Sequence, residues 1–136
     1  MNLPRLLRII ATIAAVGAVT FGMGTYTHAD FTGIHMLFGL LVALILLILA
    51  LLAVFTNELR RQGAIGVVYA LIVPIFGVTQ QMILAGELHW LIETAHLAVG
   101  FGALSLIGNL SAGLARRRPA RSKPVAALAD VPQVVR

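Results

Sequence analysis

The stretch GIHMLFGLLVALILLILALLAVF, from Gly33 to Phe55, decides the fold: it carries no Asp, Glu, Lys or Arg and is long enough to cross a bilayer as a helix. Three further segments read the same way, at Leu7 to Thr25, Ala64 to Ala85 and Leu88 to Leu114. The chain of 136 residues is 60% hydrophobic and 11% charged, a composition that needs lipid around it. The expected fold class is an all-α integral membrane protein, a four-helix transmembrane bundle over residues 1–115. Residues 116–136 form a basic tail rich in Arg, Pro and Ala, read as disordered.

The net charge of +5 does not point to nucleic acid. Arg5 and Arg8 stand at the start of the first span, Arg60 and Arg61 separate the second from the third, and Arg116, Arg117, Arg118, Arg121 and Lys123 follow the fourth. These cations flank apolar runs and lack the interleaved aromatics that stack on bases. All three clusters fall on one side of the membrane if the positive-inside rule holds, which places both termini in the cytoplasm of a bacterial-type inner membrane and turns the short loops at 27–32 and 86–88 outward. The basic start of the tail suits anionic headgroups. A secretory signal in the first span is the competing reading, but Tyr26-Thr27-His28-Ala29 is a poor cleavage site. With no cysteine, disulfides and thiolate chemistry are excluded, and any metal must be held by His, Asp, Glu or Met.

Shifting the chain by 61 residues places His28 on His89, His35 on His96 and Gly39 on Gly100, and so pairs all four histidines. The same shift superimposes the first span on the third and the second on the fourth, so the chain reads as two tandem helix pairs, about residues 7–56 and 64–114. Each unit crosses twice, so the copies share an orientation and their equivalent residues share a depth. His35 and His96 then present two imidazoles to one axis, the arrangement a porphyrin iron takes from trans nitrogens. Gly39 and Gly100, each four residues on, share the face of their histidine and leave room for a flat ring, or for a neighbouring helix.

One haem, of type b with haem o or haem a as variants, is the expected cofactor. His28 and His89 sit two helical turns away, roughly 10 Å in depth, where they would meet propionates, a proton or a substrate; the plain alternative is an interfacial polar residue. Glu93 falls inside the fourth span, where a charge costs about 3 kcal/mol on insertion scales, so it is expected at an interface or facing the bundle interior. With His89, His96, Gly100 and Ala103 it forms one helical stripe, and its counterpart in the first copy is Thr32. A carboxylate there would orient an imidazole or transfer a proton. In the third span Pro74 predicts a kink, and of the adjacent Gln80 and Gln81 only one can face the axis, for interhelical bonding or contact with a haem edge or quinone.

Glu93-Thr94-Ala95-His96 resembles the Glu-x-x-His signature of haem A synthase, which oxidises a haem methyl group. That family is built of two four-helix halves, each with paired haem-ligand histidines about sixty residues apart on its second and fourth helices. Residues 7–114 are similar to one such half. The resemblance implies that His35 and His96 are axial ligands and that Glu93 is the functional glutamate. Three readings follow: a small b-type cytochrome passing electrons to or from a quinone, a respiratory complex or an external acceptor; a haem-modifying enzyme with Glu93 as a catalytic group; and a cofactor-free accessory subunit of a respiratory complex. A homodimer is compatible with each.

Overall fold

A computed structural model describes residues 2–27, 30–84 and 86–116. Four helices form from the four apolar runs: α1 (Leu3–Tyr26), α2 (Thr32–Val54), α3 (Arg60–Thr79) and α4 (His89–Arg116), with a single 3-10 turn at Gln80–Met82. There is no strand among the described residues. Each helix is long and apolar enough to cross a membrane. His28 and residues 117–136, most of the expected tail, lie outside the described residues.

Two helices begin earlier than the expected spans and take in charged residues. α1 starts at Leu3 and takes in Arg5, and α3 starts at Arg60, four residues before Ala64. Intrahelical hydrogen bonds do not require apolar side chains, and Pro4 suits a first turn, where its missing N–H has no partner to lose. Arg116, assigned above to the tail, is the last residue of α4. At the other end of α3 the helix stops at Thr79, short of Ala85, and the chain turns back through positive φ at Leu84 and Gly86. The helix continues through Pro74.

Neighbouring helices run antiparallel. Gly17 lies against Phe38 and Gly24 against Phe31 between α1 and α2, and Leu59 against Gly113 beside α3 and α4. α2 touches every other helix, and α4 does too, whereas α1 and α3 lie apart. α2 and α4 therefore face each other across the bundle axis and run in the same direction. We call the end with Asn2, Arg116 and the α2–α3 turn the base, and the end with the other two loops the mouth.

Small residues bring the base together. A Cβ on Gly63 would stand 2.5 Å from the Val54 nitrogen and 2.8 Å from the Ala50 oxygen, so α2 and α3 pack backbone against backbone there. Leu46, Leu49, Ile107 and Leu110 fill the centre. Hydroxyls inside the spans bond to carbonyls of their own helix, as with Thr20 to Val16 and Thr79 to Ile75, because lipid offers them no partner.

Every buried residue falls within 11–15, 42–53, 63–70 or 103–113, which is the base half. None of the described residues nearer the mouth than these is buried.

Candidate functional site

His35 lies one turn inside α2 from the mouth, and His96 two turns inside α4. Their ring centres stand 5.9 Å apart, with the planes tilted by 53°. The expected pairing of these two side chains across the axis is therefore present. Two imidazoles bound trans to one metal ion, each nitrogen at about 2 Å, place their ring centres roughly 6 Å apart, so the spacing suits a shared ion.

His35 is held from behind. Its Nδ1 is 2.8 Å from the Ala18 carbonyl oxygen on α1. A carbonyl only accepts, so Nδ1 carries the proton and donates, and Nε2 keeps its lone pair for a ligand bond. Gly22 makes this possible: a Cβ there would come within 2.9 Å of Nδ1. Neither Ala18 nor Gly22 was singled out from the sequence. Their signal is a glycine one turn beyond a carbonyl on the helix preceding the ligand, and it becomes readable only when the register between α1 and α2 is known.

His96 is held differently. Its Nδ1 is buried and has no hydrogen-bond partner. The Phe76 ring lies 6.0 Å away at 35°, and Gly77 presents an open face at ordinary contact distance, a Cβ there falling 3.5 Å from Cε1. On the same side of α3 and its 3-10 extension, the Gln80 Oε1 is also buried without a partner, while Gln81 is exposed. Of the two adjacent glutamines, Gln80 is the one turned inward. A buried polar atom left unpaired is costly, and both of these lie toward the mouth, one of them on His96 itself.

Gly39 and Gly100 have no heavy atom within 4 Å of where a Cβ would stand. They do not serve a close helix contact, the alternative weighed from sequence, and the space beside both is open. The stripe on α4 is not uniformly interior: Ala103 is buried, His89 and His96 are half-buried, and Glu93 and Gly100 are exposed. Glu93 makes no hydrogen bond to either imidazole. His89 is the first residue of α4, and its Nδ1 lies 3.3 Å from the Ile83 carbonyl, which ties the α3–α4 loop to the helix. α2 begins at Thr32, three residues before His35, and α4 at His89, seven before His96, so the mouth ends of these two helices differ by about one turn. Among the described residues no three His, Asp or Glu side chains gather to hold a bare metal ion.

Comparison with known protein families, curated proteins and solved structures finds no match.

Proposed function

We propose that the chain is a small b-type membrane cytochrome that binds one haem between His35 and His96. The observation that carries this reading is the pair of imidazoles 5.9 Å apart, nearer the mouth than any buried residue of their helices. The donor set fits: His35 has its Nδ1 proton engaged by a carbonyl, His96 has an orphaned buried nitrogen, and two glycines leave space one turn below the pair. Haem held by His35 and His96 would supply one-electron exchange. The Ala18 carbonyl fixes the tautomer and orientation of His35 and raises its basicity as a ligand. The packed base keeps water from reaching the pair from that end, and the mouth is the side from which a quinol, a respiratory complex or another redox partner approaches.

The same reading takes the helix pairs as tandem copies, and the basic clusters as marking a cytoplasmic base in a bacterial-type inner membrane. The likeness to haem A synthase at residues 93–96 supports haem as the ligand. Glu93, exposed and without a bond to either imidazole, offers less support for haem modification than the histidine pair offers for electron transfer.

Visible absorption spectra of the full chain, purified in mild detergent from haem-replete cells and recorded oxidised and reduced, test the proposal. A sharp Soret band and a reduced α band are expected in the native chain, lost in His35→Ala and lost or shifted in His96→Ala. A colourless native protein overturns the cytochrome reading and leaves an accessory subunit.

A further inference from the structure

A second site lies at the opposite end of the bundle. Between the first turns of α1 and the last turns of α4 is a cavity of about 420 Å³. Arg5 and Arg8 line it from α1 together with Asn2, and Ala112 and Ala115 line it from α4. Residues three apart on a helix share a face, so Arg5 and Arg8 both border this one space. Among the described residues no carboxylate lines it. Ser111, also in the wall, already donates its hydroxyl to the Gly108 carbonyl and makes no demand on the cavity.

The end of α1 adds to the positive field. Asn2 precedes the helix without capping it through its side chain, so first-turn amides point toward the cavity's end of the bundle with no side-chain acceptor. The two alanines keep α4 from filling the gap. In the second cluster, Arg60 is used otherwise: it donates to the Asn57 side chain and the Val54 carbonyl, closing the α2–α3 turn. The α1 pair therefore differs from the charges that only flank a span: it lines a space.

We infer that this cavity binds a phosphate group, and its place at the rim of a membrane bundle makes the headgroup of an anionic phospholipid the expected source. Guanidinium forks match phosphate oxygens in pairs, and basic pockets between spans suit such headgroups. The inference does not rest on the haem reading.

The test compares the full native chain with Arg5→Gln, Arg8→Gln and Ala112→Leu. Each is reconstituted into phosphatidylcholine vesicles containing a minor fraction of phosphatidylglycerol and extracted in mild detergent, and the ratio of the two lipids retained is measured by mass spectrometry. Phosphatidylglycerol enrichment in the native chain is expected to fall roughly fivefold for each arginine removed. It should also fall in Ala112→Leu, whose longer side chain narrows the cavity and leaves every charge in place. Extraction in excess inorganic phosphate, against chloride at equal ionic strength, separates the sources: retention unchanged by phosphate identifies the lipid headgroup, and lipid displaced by phosphate identifies a site that also takes the free anion. Equal enrichment in the native chain and Ala112→Leu, or none in the native chain, overturns the inference.

Discussion

The base and the mouth of this bundle are built from similar apolar residues and behave as different materials. At the base, Gly63 and Gly66 press α3 onto Ala50, and Leu46, Leu49, Ala53 and Leu110 have no exposed surface to speak of. At the mouth, Gly39 and Gly100 face open space and Leu37 is 66% exposed. Helices in lipid gain little from hiding apolar surface from one another, so what holds them is close van der Waals packing and backbone approach. The base has both. The mouth has the two imidazoles and two unpaired buried polar atoms. The bundle is thus closely packed at one end and open at the other.

The largest test of that contrast is Gly63→Ala. The new Cβ would meet three backbone atoms of α2 within 3 Å, and backbone cannot give way as a side-chain tip can. We expect a loss of about 3 kcal/mol in unfolding free energy in detergent, the upper range for overpacking. Gly39→Ala and Gly100→Ala meet nothing within 4 Å and should leave stability unchanged or slightly raised. If all three behave alike, the two ends are not packed differently.

This contrast was only partly legible in the sequence. The four spans were readable because uninterrupted apolar length is a local property, as Gly33 to Phe55 illustrates. The meeting of His35 and His96 was also readable, since the shift that pairs the histidines places both at one depth. Contacts that depend on the register between helices were not. Gly22 beneath His35 and Gly102 beneath Tyr69, whose hydroxyl donates to the Val99 carbonyl, are both ordinary small residues until the neighbouring helix is laid against them. Glu93 shows a related limit: helical period placed it on the stripe of His89 and His96, but a stripe on α4 runs from a packed base to an open mouth, and Glu93 lies at the open end.

A smaller effect is expected from shortening side chains at the two ends. Leu49→Ala deletes packing in a site with no exposed surface, and the rigid helices around it cannot collapse into the void; about 2 kcal/mol is the expected cost, at the low end for buried leucines because lipid also solvates the unfolded segment. Leu37→Ala, at the mouth, should stay within about 0.5 kcal/mol of the native chain. Equilibrium unfolding of both in one detergent decides the point: equal losses would mean that the mouth is as tightly packed as the base.

The smallest change in stability comes from a pair of substitutions that separates the two histidines. Gly22→Ala puts a Cβ 2.9 Å from the His35 Nδ1, so the ring must move and its bond to the Ala18 carbonyl must lengthen or break. Gly77→Ala puts a Cβ at 3.5 Å from the His96 Cε1, an ordinary contact that asks nothing of the ring. Alanine in place of glycine favours a helix by roughly 0.5–1 kcal/mol, and a lost hydrogen bond costs about 1 kcal/mol. In Gly22→Ala the two nearly offset each other, and the melting temperature will say little. The spectrum will say more. If the carbonyl sets the tautomer of His35, Gly22→Ala should lower haem content or shift the reduced bands and the midpoint potential, while Gly77→Ala keeps native values and gains slightly in stability. Matching spectra for the two variants, with haem retained in both, would mean that the bond behind His35 does not position it as a ligand.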